Sequence, residues 1–74
     1  MKCHERIREM REERYLTQQN IADFLHVAQR TYADYESGKT RIPVERLIRL
    51  AKFYDVSVDY ISGVSNHPKQ YPRK

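Results

Sequence analysis

The sequence has a single cysteine, so no disulfide can form within the chain, and no Cys/His spacing in it resembles a zinc site. The two staples common in very small domains are thereby excluded, and packed helices must supply the stability. Tryptophan is absent and there are only two glycines, Gly38 and Gly63, too few for a phosphate-cradling loop. No apolar run approaches the ~20 residues needed to cross a bilayer. Met1-Lys2-Cys3-His4-Glu5-Arg6 lacks the apolar stretch of a secretion signal. These absences predict a soluble, cytoplasmic protein without membrane contact, with Cys3 as a reduced thiol. No nucleophile–base arrangement is visible, and Glu12-Glu13 lies in a run of alternating charge. Neither an enzyme nor a metal or cofactor site is expected.

What is present fits one small domain. Seventy-four residues suffice for one and not for two. Fourteen Lys and Arg stand against ten Asp and Glu, a net charge of +4 that suggests a polyanionic partner. Three of the cations, Lys69, Arg73 and Lys74, lie in a Pro-containing segment after Gly63, expected to be a flexible basic tail over residues 64–74. Without them, eleven cations face ten acids in residues 1–63, so the position of charge matters more than its sum. Ser37 to Arg49 is the one locally basic stretch, with Lys39, Arg41, Arg46 and Arg49 against Glu45 alone.

Periodicity predicts helices throughout and no half-buried strand. Residues 4–14 place Ile7 and Met10 on one stripe, extended back by Cys3, and the remaining charged positions read as a solvated face. Thr17 suits the N-cap of a second helix over 18–25. A third helix at about 28–36 turns Ala28, Tyr32 and Tyr35 inward and ends at Gly38. Pro43 suits the first turn of a fourth helix, whose apolar side is Leu47, Ile48, Leu50, Ala51 and Tyr54. Ser57 suits the cap of a short fifth helix ending before Gly63, and Tyr60, Ile61 and Val64 form an apolar strip that either closes the core or serves as a dimer patch.

Residues 17–36 carry the functional pattern. Two short helices are joined by a turn of about three residues, with small Ala22 letting the backbones approach and Val27 plugging the angle. The outer face of the second of these helices is left polar and protruding, which is how a helix-turn-helix places a helix in the major groove.

Leu16-Thr17-Gln18-Gln19, the run Tyr35-Glu36-Ser37-Gly38-Lys39, and Leu47-Ile48-Arg49-Leu50-Ala51-Lys52 followed by Asp55-Val56-Ser57-Val58-Asp59-Tyr60 together resemble the Cro/repressor-type, or Xre, helix-turn-helix family over roughly residues 5–63. The resemblance implies an all-α, compact five-helix, lambda-repressor-like DNA-binding domain. It also implies a homodimeric transcriptional regulator, most often a repressor, that binds double-stranded operator DNA. Three residues depart from the family's habit: His26 and Tyr15 stand where Gly is usual, and Ala28 where Ser or Thr caps the third helix.

At 100° per residue, the outward set on the third helix is Arg30, Ala33, Asp34 and Ser37, with Gln29 and Thr31 at its edges. Gln29, Arg30, Ala33 and Asp34 are the expected base contacts: Gln pairs with adenine, Arg with guanine, Ala with a thymine methyl, and Asp accepts from cytosine. Arg30 and Asp34 can alternatively pair with each other on the surface. Gln18, Gln19, Thr31, Ser37, Lys39, Thr40 and Arg41 are the expected backbone contacts, the role of Gln18 being the one the resemblance implies. Glu36 is expected to bond within the domain. A second function stays open: relatives of this family also act as antitoxins or protein-interaction modules, which would make a toxin or co-regulator the partner.

Overall fold

The computed structural model describes residues 1–65, so the expected tail from residue 66 onward lies outside the described residues. Five helices follow one another: α1 (Cys3–Glu13), α2 (Gln18–Leu25), α3 (Gln29–Ser37), α4 (Val44–Tyr54) and α5 (Val58–Ile61). There is no strand among the described residues. Helix α2 packs on α3, α1 lies across α3, and α5 closes the bundle against α1 and α4.

The apolar stripes explain this arrangement. Ile7 and Met10 from α1 meet Ile21, Ala22 and Leu25 from α2, Tyr32 and Tyr35 from α3, and Leu47, Leu50, Ala51 and Tyr54 from α4 in one core. Ala22 is fully buried on α2, the helix that packs on α3. The α2 start is secured as its sequence suggests. Thr17 Oγ1 accepts from the Asn20 N–H at 3.0 Å, and Asn20 Oδ1 accepts from the Thr17 N–H at 2.9 Å. Ser57 likewise caps α5 by accepting from the Tyr60 N–H.

Three helices end in the same way. After α1, α2 and α4, a non-glycine residue takes the left-handed conformation: Tyr15 (φ 57°), His26 (φ 59°) and Asp55 (φ 56°). In each case the following residue donates to a carbonyl five positions back, Leu16 to Arg11 (3.2 Å), Val27 to Ala22 (3.0 Å) and Val56 to Ala51 (2.9 Å). That pairing is a Schellman closure, and it drops the apolar Leu16, Val27 or Val56 onto the core. The apolar drop-in offsets the strain of a side chain in that region, roughly 1–2 kcal/mol per residue.

Several expectations need correction. Ala28 is exposed, because it is the extended N-cap of α3 (φ −67°, ψ 148°) and so lies outside the helical register that would turn it inward. Pro43 is the N-cap of α4 rather than part of its first turn. Of the two readings of Tyr60, Ile61 and Val64, closing the core holds for Ile61 and Tyr60 and fails for Val64. Ile61 is 0% exposed in the core, Tyr60 is half-buried beneath a guanidinium, and only Val64 stands in solvent. Nor is the charged side of α1 wholly solvated. Arg6 is buried, 4.0 Å above the Tyr60 ring, with Nη1 donating to the Tyr60 carbonyl at 2.8 Å.

Candidate nucleic-acid interface

The orientation of α3 is set by two aromatic anchors. Tyr32 and Tyr35 are buried edge-to-face, ring centres 6.4 Å apart, so the helix cannot roll without emptying the core. Gln29 and Arg30 at its N-terminal end are therefore exposed, and Thr31, Ala33 and Asp34 are half-buried along its flank. Arg30 and Asp34 do not form an ion pair, so the Arg30 guanidinium is uncommitted among the described residues.

Helix α2 meets α3 at the start of both. Gln29 Nε2 donates to Gln18 Oε1 at 2.7 Å, drawing the two N-termini onto one surface. Gln18 is half-buried and its own Nε2 donates to Glu36 Oε1 at 3.2 Å, which leaves one N–H of that amide unused. Gln19 is exposed and bonded along its helix to Asp23 at 2.7 Å.

Behind the glutamines Glu36 bonds within the domain, as expected, with a partner the sequence reading did not name. Arg11 Nε and Nη2 grip the Glu36 carboxylate at 2.6 and 3.0 Å, and Arg11 Nη1 donates to the Leu16 carbonyl at 2.7 Å. The side chains are 12% and 3% exposed. Burial pushes the Glu36 carboxyl up, but the hydrogen bonds from Arg11 and Gln18 and the nearby Tyr32 hydroxyl outweigh it, and the group ionises below the usual glutamate range. Tyr32 Oη is enclosed and influenced by the carboxylate, though it meets no well-aligned hydrogen bond; burial first, then that neighbour, raises its pKa. A signal for this pair was present. Ile7 and Met10 alone make too narrow a stripe for a packed helix, and Arg6 and Arg11 are the residues that flank it.

The basic stretch after α3 divides. Lys39, Thr40 and Arg41 are exposed in the loop that Gly38 opens, where φ is +80° and a Cβ would press on the His4 ring at 3.0 Å. Arg46 is half-buried, its Nη1 donating to Tyr35 Oη at 3.0 Å. Arg49 belongs elsewhere: it donates to the Phe24 carbonyl at 2.8 Å and covers the Phe24 ring at 5.0 Å. Ser37 is exposed, with its hydroxyl turned back to the Asp34 carbonyl at 3.2 Å. It also borders an open groove lined on α1 by Glu5, Glu9, Glu12 and Glu13 together with His4 and Arg8. Ser37 therefore has acidic surroundings on the side facing α1.

Among the described residues, no group of His, Cys, Asp and Glu is arranged to hold a metal ion, and no helix is long and apolar enough to cross a membrane. Comparison with known proteins decides the family. The family described as helix-turn-helix matches residues 7–61. The chain belongs to the helix-turn-helix family. This helix-turn-helix chain is 38% identical over 64 residues to YobD of Bacillus subtilis, named as an uncharacterised HTH-type transcriptional regulator, covering 86% of this chain and 57% of that one. It is 40% identical over 53 residues to RstR of Vibrio cholerae, named as a cryptic phage CTXphi transcriptional repressor, covering 72% and 48%. The chain thus spans about half the length of these curated relatives. A crystal structure of a transcriptional regulator from Listeria innocua superposes with a TM-score of 0.81 at 33% identity, covering 99% of this chain and 62% of that one.

Proposed function

We propose that this domain binds double-stranded DNA sequence-specifically, as a transcriptional regulator acting by repression. The observation that carries the reading is the 2.7 Å bond between Gln29 and Gln18, which unites the N-termini of α2 and α3 on one polar surface while Tyr32 and Tyr35 hold the opposite side of α3 in the core. In this reading Gln29, Arg30, Ala33 and Asp34 meet base edges in the major groove. Gln18, Gln19, Thr31, Ser37, Lys39, Thr40 and Arg41 meet the flanking phosphates. Two copies read a near-palindrome with half-sites about 34 Å apart. Promoter occupancy then excludes polymerase. RstR, named as a repressor, favours repression, although BcrR of Enterococcus faecalis, 32% identical over 59 residues, is named as an activator.

The test is selection of bound fragments from a random DNA pool, followed by titration of the winner and of its scrambled version at two salt concentrations. A sequence preference that survives at the higher salt is expected. Gln29→Ala and Arg30→Ala should each relax the preference at particular positions, at a cost of about 1–3 kcal/mol. Equal affinity for the selected and scrambled fragments would end the proposal.

A further inference from the structure

We propose that Glu36 sets the base preference of Gln29 without touching DNA, by fixing which end of two successive amides points outward. The inference rests on the reading of α3 as the base-contacting helix. It starts from a difference in chemistry between the groups in the chain. An ionised carboxylate only accepts hydrogen bonds, whereas a glutamine amide donates at one end and accepts at the other. Arg11 keeps Glu36 ionised through its two bonds at 2.6 and 3.0 Å, consistent with the lowered pKa of that carboxyl.

Gln18 can therefore approach Glu36 only with its NH2, as it does at 3.2 Å. Turned over, it would set an amide oxygen against a buried carboxylate, two acceptors with no proton between them. With its nitrogen so committed, Gln18 presents its oxygen to Gln29, and only the NH2 of Gln29 can meet that oxygen, as it does at 2.7 Å. What Gln29 has left to offer outward is Oε1 and one N–H, an acceptor beside a donor. Adenine presents the complement, N7 accepting and N6 donating, whereas guanine presents two acceptors, N7 and O6. Reading guanine would require Gln29 to turn its oxygen toward the oxygen of Gln18, and Gln18 cannot yield without turning against Glu36. Glu36 is thus a positioning residue, and adenine over guanine is the preference it enforces.

The experiment measures the adenine-to-guanine binding ratio at the base pair read by Gln29, using the full chain and DNA selected from a random pool. One good bidentate contact discriminates by roughly five- to 150-fold, so the native ratio should lie in that range. Glu36→Gln supplies both a donor and an acceptor, freeing both amides, and Gln18→Met removes the intermediate amide; each should lower the ratio several-fold, because a freed Gln29 amide can also turn both N–H groups toward guanine. If Glu36→Gln does not fold, Gln18→Met at the half-buried start of α2 decides. Ile61→Val, a core trim remote from this chain of bonds, should lower the melting temperature and leave the ratio unmoved. A native ratio retained in folded Glu36→Gln or in Gln18→Met overturns the proposal, as does a ratio that falls with stability alone in Ile61→Val. In parallel, the side-chain 15N amide signals of Gln29 are followed in the free protein, where they should shift in both amide-relay variants. If they shift but the native chain shows no base preference, the relay within the protein stands and the DNA-binding reading fails, and the base preference with it. If the native chain has a preference and the signals do not shift, the relay fails alone.

Discussion

Replacing Arg11 by Met tests the account of the buried ion pair, because the response to pH should reverse in sign between the native and variant proteins. In the native protein Glu36 is 3% exposed and held by two bonds from Arg11. Breaking such a pair by removing one partner costs about 3–5 kcal/mol. The lower end applies here, since Gln18 still donates to the carboxylate and the Arg11 side is partly open to water. At roughly 0.05–0.15 kcal/mol per residue, a small domain of this size has roughly 3–10 kcal/mol in total, so the loss is a large fraction. At 4–8 °C per kcal/mol, the melting temperature at pH 7 should fall by about 12–24 °C.

The sign follows from linkage. In the native protein the Glu36 carboxyl ionises below its unfolded value of about 4.3, so its contribution is complete above that pH and is lost as pH falls through the folded value. In Arg11→Met, burial is the dominant influence left, and the carboxyl ionises above its unfolded value. Its contribution then worsens as pH rises past about 4.3 and recovers as pH falls toward it. The stability gap between the two proteins should accordingly be widest at pH 7 and narrow by at least about 1.4 kcal/mol at pH 4, one tenfold shift in proton affinity. Thermal denaturation followed at 222 nm at both pH values measures it. A gap that is the same at pH 4 and pH 7 would refute the claim that Glu36 is buried as a carboxylate, and a loss under about 4 °C at pH 7 would refute its energetic weight.

Three further outcomes are expected. Tyr15 is 95% exposed in a left-handed conformation, so Tyr15→Gly should raise stability by about 0.5–1 kcal/mol, relieved strain exceeding the added freedom of the unfolded chain, and thermal denaturation will show whether the midpoint rises or falls. Lys39→Ala should weaken binding to all DNA sequences alike; if the native log–log salt slope is about −3.6 for four phosphate contacts per dimer, two copies of the variant lose two of them and the slope should approach −1.8 in a titration against salt. Burial raises the hydroxyl pKa of Tyr54 to about 12 and pushes that of Tyr32 up as well, so both must ionise more readily unfolded than folded; stability should be intact below pH 10 and fall as pH climbs from about 10 toward 12, as followed by tyrosinate absorbance together with helical signal.

The apolar framework was legible because it depends on local rules. Period, caps and the two glycines placed all five helices within about a residue or two of their observed ends, and the inward turn of Tyr32 and Tyr35 followed from helical spacing alone. Ala28 and Pro43 were misplaced locally, by one position at a helix start, whereas the misread charged side chains share another cause, which is that the partner lies far along the chain. Arg11 and Glu36 are 25 positions apart, and Arg6 reaches the Tyr60 carbonyl over 54. Read locally, each of these arginines is one more charge on an alternating helix. The same holds for the basic stretch, where Arg46 turns toward Tyr35 and Arg49 toward Phe24 for reasons set by helix packing rather than by neighbours in sequence.

This division bears on how such a domain can diversify. Residues that face outward from α3, Gln29 and Arg30 above all, are free of core contacts and can change without disturbing the fold. Glu36 cannot, since it is bonded to Arg11 on α1 and Gln18 on α2 while itself belonging to α3. Glu36 thus ties three helices together, and the amide it orients leads directly to the exposed face. A substitution at Gln29 should therefore alter specificity at little structural cost, whereas one at Glu36 must alter stability and specificity together. A stability gain at Tyr15 or His26 should by contrast leave specificity untouched, because neither side chain enters the bonded path from Arg11 to Gln29.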